Sequence, residues 1–149
     1  MSTLSENKKA YHDYQILERF EAGISLNGQE VKSIKLGRAN IKGSYILFSE
    51  KEAFLVGTVI PPYQPKNAPK DYNDKRERKL LLNKKELSYL IGKQKERGLT
   101  FIPLKIYTKG RIIKVEIGVA KGKKTRDVRE TIKKRDFDRD KQRYLKNNY

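Results

Sequence analysis

The side chains that can do chemistry in this chain are mainly cations, and they are densest in the last thirty residues, Ala120 to Tyr149. This segment holds twelve Lys or Arg and five Asp or Glu, a net charge of +7. Its few apolar residues form a thin helical stripe at best: Val128, Ile132, Phe137, Tyr144 and Leu145. So little apolar area cannot offset an ordering entropy of roughly 1–2 kcal/mol per residue. We therefore expect a tail that is disordered when free and ordered by a polyanion. A solvated basic tail without a specific role is the alternative.

The residue types needed for catalysis or metal binding are scarce. His12 is the single histidine and there is no cysteine, so neither a His/Cys metal site nor thiolate chemistry is available. No phosphate-cradling glycine loop and no nucleophile-base pair is recognisable by spacing. We predict that the protein is not an enzyme and uses no cofactor or metal. For His12 a packed or hydrogen-bonded role is the default, and contact with RNA is the alternative.

The charge of the whole chain points to an acidic partner. Lys and Arg number 35 against 18 Asp and Glu, a net charge of +17. Residues 1–119 alone carry +10, so the basic character is not confined to the tail. Nucleic acid is the favoured partner. A membrane surface is the competing polyanion, but the tail lacks the broad apolar face of an interfacial helix. With no signal-peptide-like or membrane-spanning run, the sequence predicts a cytosolic protein that does not bind membranes.

The patterns along the chain predict a mainly β fold. Alternation predicts five strands, at Tyr14–Leu26, Ser44–Ser49, Ala53–Ile60, Thr100–Thr108 and Arg111–Val119, the last two joined by a Lys109-Gly110 turn. Gly23 inside the first strand indicates a bulge or a close backbone approach. Asn27 with Glu30 predicts an N-capped helix at 28–36, and Asn83 with Glu86 predicts a second one that Gly98 closes.

The long loop Pro61 to Arg78 contains four of the five prolines and shows no periodicity. Such a loop is functional or a floppy insertion. Together these elements predict a small, partly open β-barrel of OB type with short helices over residues 10–120. A flexible N-terminus, residues 1–9, precedes the barrel, and the basic tail, residues 121–149, follows it.

Several motifs in one order resemble a known family. They are Asn7-Lys8-Lys9-Ala10 with His12-Asp13-Tyr14, Glu21-Ala22-Gly23-Ile24, Gly28 with Glu30-Val31-Lys32-Ser33, Gly37-Arg38-Ala39-Asn40, Arg78-Lys79-Leu80-Leu81-Leu82, and Lys114 through Lys124. As a collinear set they resemble the SmpB family, the SsrA-binding proteins, from about residue 7 to the end. Two tail positions depart from the family pattern. Asp127-Val128-Arg129 has Val where the family often has the Lys of Asp-Lys-Arg, and Phe137 replaces a Trp that is common in the family.

The resemblance implies an OB-type barrel that binds the tRNA-like domain of tmRNA and delivers it to stalled ribosomes for trans-translation. It implies a protein that acts as a monomer in complex with RNA, with its tail helical in the empty mRNA channel beside small-subunit rRNA. The tmRNA-binding residues would be Lys8, Lys9, His12, Glu21, Gly23, Arg38, Asn40, Arg78, Lys79, Leu81 and Lys114. The ribosome-binding tail residues would be Lys123, Lys124, Asp127, Arg129, Lys133, Lys134, Arg135, Phe137, Lys141, Tyr144 and Leu145.

Other interpretations remain open from the residues themselves. From the residues alone, the favoured interpretation of Glu21 is a capped or salt-bridged strand residue, and that of Leu81 is a core residue. The main rival function is an OB-fold ribosomal protein or translation factor that binds rRNA. The small RNA that co-purifies after stringent salt washing separates the two, because tmRNA supports the family interpretation and retention on every ribosome supports the rival.

Overall fold

The computed structural model describes residues 2–123, so the expectations for residues 124–149 lie outside the described part. The described elements run in the order β1 Ser2–Glu6, α1 Lys8–Asp13, β2 Tyr14–Ile24, α2 Gly28–Lys35, β3 Tyr45–Ser49, β4 Glu52–Val56, β5 Arg78–Leu81, α3 Lys84–Lys93, β6 Leu99–Lys109 and β7 Ile112–Gly122. A 3-10 turn, Pro65–Asn67, interrupts the loop between β4 and β5.

The strands form one antiparallel sheet of seven strands in the order β1-β6-β7-β2-β5-β4-β3. The sheet curls on itself and brings β3 close to β6. The Phe48 ring of β3 contacts the Phe101 ring of β6 edge-on, with 5.3 Å between the ring centroids. The prediction of a mainly β, small barrel with short helices is confirmed. The two strands beyond the predicted five are β1 and β5.

The core lies inside the curl and is closed by two helices. Inward side chains of the strands, such as Leu55, Ile106 and Ile117, are fully buried. Ile34 of α2 and Leu90 of α3 are also fully buried against them. Helix α1 instead packs outside the sheet, where Ala10 joins a small cluster with Leu104 and Ala120. Each helix therefore has one apolar contact face, as its spacing requires.

Local sequence signals determine the boundaries of several elements. At α2, the Asn27 side chain accepts from the Glu30 amide at 2.9 Å, while the Glu30 carboxylate accepts from the Asn27 amide at 3.0 Å. This reciprocal cap confirms the predicted helix start. Helix α3 begins as predicted after Asn83 but ends at Lys93, before Gly98. Strands β6 and β7 form the predicted hairpin, although Lys109 still pairs with Ile112, so the loop is Gly110-Arg111.

The two ends of the barrel differ from expectation. The sequence predicts a flexible N-terminus, residues 1–9, without a helix or strand. The structure shows that this prediction is wrong. Ser2–Glu6 pair with β6 along its edge, and Asn7 caps α1. Backbone pairing at the edge of a sheet needs no apolar alternation, so the hydrophobic pattern of the sequence gives no indication of this strand. At the other end β7 runs to Gly122, so the first two residues of the predicted tail belong to the barrel.

Of the two alternatives predicted for Gly23 in β2, a bulge or a close approach, the structure shows the close approach. The register shift falls between Ile16 and Glu18, where Leu17 is the extra residue opposite β7. Gly23 is instead a site of close approach, since a Cβ there would lie 3.3 Å from Leu81 Cβ. Within residues 2–123, no helix has the length and apolar character needed to cross a membrane.

Candidate nucleic-acid interface

Gly23 is the centre of a groove on the outside of the barrel. On one side its Cα pairs with Leu81 of β5, and on the other it pairs with Lys114 of β7. Three predicted site residues from distant parts of the chain therefore sit side by side on adjacent strands. Because Gly23 has no side chain, the surface between Leu81 and Lys114 is a depression.

The depression has a volume of about 400 Å³ and an apolar floor with a cationic rim. Leu81 and Ile112 are 54% and 59% exposed, which is high for large apolar side chains. Arg111 and Lys114 line the same depression. An apolar surface flanked by cations suits the face of a base or ribose together with its phosphate. The exposure of Leu81 excludes the alternative that it is a core residue.

Glu21 lies two residues before Gly23 on the same face of β2. Its carboxylate accepts a hydrogen bond from the Tyr107 hydroxyl and lies 3.3 Å from Lys109 Nζ. The Tyr107 hydrogen bond lowers the pKa of Glu21, with a further contribution from Lys109. Glu21 is thus a salt-bridged strand residue and also an ionised acceptor beside the groove, so the two interpretations of it are compatible.

Lys79 projects outward from β5, two residues before Leu81. Its Nζ lies 3.1 Å from the Glu52 carboxylate of β4. Both side chains of this pair are about half exposed, at 46% and 45%, so the pair is weak. Lys79 can exchange Glu52 for a phosphate at little cost.

Arg78 is the predicted RNA contact that the structure contradicts. Its side chain is fully buried. Its guanidinium donates to the Glu30 carboxylate at 2.8 Å, to the Thr58 carbonyl at 2.6 Å and to the Asp74 carbonyl at 3.1 Å. Arg78 is therefore an internal anchor and has no surface to offer RNA. Residues 78 and 80 of β5 point inward while 79 and 81 point outward, so the basic residue that faces solvent is Lys79.

The predicted residues of α1 lie far from the groove. Lys8, Lys9 and His12 are all exposed, His12 by 88% of its side chain. They stand beside Tyr14, where β2 begins, whereas Gly23 is nine residues along the strand, up to about 30 Å away. Lys9 lines a separate depression of about 240 Å³. If these residues contact RNA, they contact a different part of it.

Two more predicted residues sit on the loop after α2. Arg38 is exposed and donates to the Tyr63 carbonyl at 3.0 Å. Asn40 pairs its backbone with Val59 and accepts from the Lys42 amide at 3.0 Å. Both therefore help to fasten the Pro61–Arg78 loop and the segment before β3. Lys123 is exposed after β7, and the other predicted tail residues, Lys124 to Leu145, lie outside the described part.

Sequence reasoning missed four residues around the groove: Tyr107, Lys109, Arg111 and Ile112. The signal for two of them was present. Arg111 and Ile112 flank the hairpin loop, and Ile112 is the apolar residue out of phase with the Ile113, Val115, Ile117 face. Tyr107 and Lys109 had no local signal, because they reach Glu21 across β7. Among residues 2–123, no group of His, Cys, Asp or Glu could hold a metal ion.

Comparison with known proteins identifies the family. A family model described as SmpB protein matches residues 4–147. The chain belongs to the SmpB family. It is 51% identical over 149 residues to the SsrA-binding protein of Thermosipho africanus, covering 99% of each chain. It is 49% identical over 146 residues to that of Carboxydothermus hydrogenoformans, covering 98% of this chain and 97% of the relative.

A solved SmpB structure has the same fold. It is described as "tmRNA-SmpB: a journey to the center of the bacterial ribosome", and it superposes with a TM-score of 0.68 at 46% sequence identity. The match covers 83% of this chain and 86% of that one. The SmpB family match extends through both the barrel and the tail, so the resemblance in the motifs is confirmed over nearly the full length.

Proposed function

We propose that this SmpB-family chain binds the tRNA-like domain of tmRNA in the groove around Gly23 and delivers it to stalled ribosomes for trans-translation. The observation that carries the proposal is the register that sets Leu81 and Lys114 on either side of Gly23. The relatives are named SsrA-binding proteins, and the matching solved structure is described as tmRNA-SmpB in the bacterial ribosome.

Each groove residue has a physical task in this proposal. Lys114 and Arg111 pair with phosphates, and each such pairing releases counterions and makes binding salt-dependent. Leu81 and Ile112 form the apolar surface for a base or ribose. Glu21, an ionised acceptor, takes a hydrogen bond from a base amino group or a 2′-hydroxyl. A carboxylate repels phosphate, so Glu21 contributes selectivity rather than charge attraction.

The tail completes the proposal. Residues after Gly122 carry the density of Lys and Arg that would occupy the empty mRNA channel beside small-subunit rRNA. The protein would act there as a monomer with its RNA, in the cytoplasm where ribosomes work. Its part is recognition and placement, without a catalytic step of its own.

Binding of a tmRNA transcript, measured over a range of salt concentrations, tests the groove. Lys114→Glu should weaken binding, and the slope of log K against log salt should become shallower by roughly 0.7–0.9 for each phosphate that the variant no longer pairs. Lys95→Glu is the matched control, since Lys95 follows α3 and does not line the groove. It makes the same charge change and should have a smaller effect.

Three outcomes are informative. Weaker binding with Lys114→Glu and Leu81→Ala but not with Lys95→Glu supports the groove. Equal weakening by both charge reversals would mean that net charge alone attracts the RNA, and the groove assignment would be wrong. Preferential binding of rRNA over tmRNA by the unmodified protein would favour the rival function on the ribosome.

A further inference from the structure

The outer face of strands β6, β7 and β2 carries a hydrogen-bond network centred on Glu21. Tyr107 is on β6 and Glu21 is on β2, with β7 between them. The Tyr107 hydroxyl spans β7 and donates to Oε2 of Glu21, while Lys109 Nζ lies 3.3 Å from Oε1. Both oxygens of the carboxylate are therefore held from the same strand, β6.

Tyr107 is the rigid member of this network. It is 4% exposed, and its backbone pairs with Thr3 of β1 and Lys114 of β7. The Lys105 ammonium lies 5.2 Å from the ring centroid. A buried tyrosine hydroxyl needs a hydrogen-bond partner, and burial together with the Glu21 bond raises the pKa of Tyr107. Lys109, by contrast, is 60% exposed and can adopt several rotamers.

The neighbours of Glu21 explain why it needs such a hold. Its Cα partner on β7 is Glu116, and like charges directly opposite each other destabilise a strand pair. Glu116 is drawn away by Arg19, at 3.3 Å. Glu21 is drawn the other way, toward β6. The charged and titratable groups that face it are thus Tyr107 and Lys109 from β6 and Lys114 and Glu116 from β7.

We infer that Tyr107 is a positioning residue, whose hydroxyl holds the Glu21 carboxylate at the edge of the groove so that it accepts a hydrogen bond from RNA. The inference rests on the proposed function of the groove. The role assigned to Tyr107 is in selectivity. Removing the Tyr107 hydroxyl takes no cation from the surface, so the non-specific attraction of RNA would be unchanged. A carboxylate in one fixed orientation accepts from a base amino group or 2′-hydroxyl at one place, whereas a swinging carboxylate does not.

Tyr107→Phe tests this, since it deletes the hydroxyl and keeps the ring. In the full-length protein we expect about fivefold weaker binding of a tmRNA transcript, within the range measured for residues in one hydrogen-bond network. The slope of log K against log salt should stay as in the unmodified protein, and binding of bulk tRNA competitor should not fall. In the Glu21→Gln background, Tyr107→Phe should add almost nothing, because the two residues act through one contact.

The matched control is Tyr89→Phe. Tyr89 of α3 donates its hydroxyl to Glu18 of β2, so the control removes the same type of bond from the strand that carries Glu21, three residues away. It should leave tmRNA binding unchanged. An NMR titration provides an independent readout: the pKa of the Glu21 carboxyl is lowered in the unmodified protein and should rise toward its ordinary value in Tyr107→Phe.

The outcomes separate this inference from the proposed function. If Glu21→Gln weakens tmRNA binding and Tyr107→Phe does not, the groove stands and the role of Tyr107 is refuted. If neither Glu21→Gln nor Lys114→Glu weakens binding, the groove itself is wrong. An ordinary Glu21 pKa in the unmodified protein would show that the hydrogen bond is not formed in solution, and would also refute the inference.

Discussion

Replacing Arg78 by methionine should lower the free energy of unfolding by about 3–5 kcal/mol, the usual cost of removing one partner from a buried ion pair. Methionine is similar in length and fits an apolar site, so little of the destabilisation comes from packing. It comes from Glu30, whose carboxylate is fully buried and would keep a single guanidinium partner, Arg76 at 2.6 Å.

The hydrogen bonds of Arg78 lead to a similar magnitude. Its guanidinium donates to Thr58 and Asp74 carbonyls as well as to Glu30. Leaving a buried polar group without its partner costs about 1–3 kcal/mol, and here the Thr58 carbonyl and the Glu30 carboxylate would each lose a donor. The Asp74 carbonyl would keep the Ile60 amide at 2.8 Å. Arg76, which is 41% exposed, moderates the effect at Glu30. A destabilisation of this size corresponds to a melting temperature lower by roughly 10–20 °C for a domain of this length.

Urea and thermal unfolding followed by circular dichroism measure the effect. Lys79→Met is the matched control, because it removes a cation from the next residue of β5, where the side chain faces solvent. It should change stability by less than about 1 kcal/mol. Arg78→Lys should recover only part of the stability, since an ammonium cannot reach the same set of acceptors. The double variant Arg78→Met with Glu30→Gln should be destabilised by less than the sum of the two single variants.

A second measurement separates anchoring from recognition. Held well below its melting temperature, Arg78→Met should bind tmRNA nearly as the unmodified protein does. A variant of normal stability that no longer bound tmRNA would overturn the reasoning and restore Arg78 as an RNA contact. A stability change no larger than that of Lys79→Met would show that the buried cluster is not an anchor.

Three further outcomes are expected. Burial raises the pKa of Glu30, but hydrogen bonds from Arg76, Asn27 and Arg78 outweigh it and hold the pKa below its ordinary value. The stabilisation contributed by ionised Glu30 is therefore complete above about pH 4.3, the pKa of Glu in the unfolded chain, and is lost as the pH falls through the lower pKa of the folded state. The urea midpoint of Glu30→Gln should consequently fall less on acidification than the midpoint of the unmodified protein. Ile112→Ser, at a 59% exposed site, should leave the melting temperature unchanged and weaken tmRNA binding about tenfold, measured against Leu17→Ser at an exposed site outside the groove. Truncation after Gly122 should preserve both folding and tmRNA binding but abolish tagging on stalled ribosomes in a reconstituted translation assay; tagging by the truncated chain would refute the role of the tail.

Much of the barrel could be predicted from local signals. The Asn27–Glu30 cap, the β6–β7 hairpin and the alternation in β7 each describe contacts between residues close in sequence. Such contacts leave a period or a turn signature in the chain. The strand β1 and the short strand β5 left none, because their pairing partners are remote and their own residues do not alternate over a long enough run.

The groove could be predicted only in part. The family motifs single out Gly23, Leu81 and Lys114, but the sequence does not say that β2 lies between β5 and β7, and that order is what makes them neighbours. Arg78 is a second case in which the sequence does not show which residues become neighbours. A basic residue next to an apolar run suggests a solvent-exposed contact, and its burial became evident only with Glu30, which is 48 residues away.

Strand β5 joins the buried anchor to the groove. Arg78 and Leu80 point inward from it, and Lys79 and Leu81 point outward. A slip of one residue would exchange the two faces, placing an ammonium against Glu30 and moving Leu81 into the core. The guanidinium resists the slip because its donors reach Glu30, Thr58 and Asp74 at once, and the four-residue strand has few ladder bonds of its own to hold its register. Arg78 and Leu81 therefore share one register of β5, with the anchor on the inner face and Leu81 directly opposite Gly23 on the outer face.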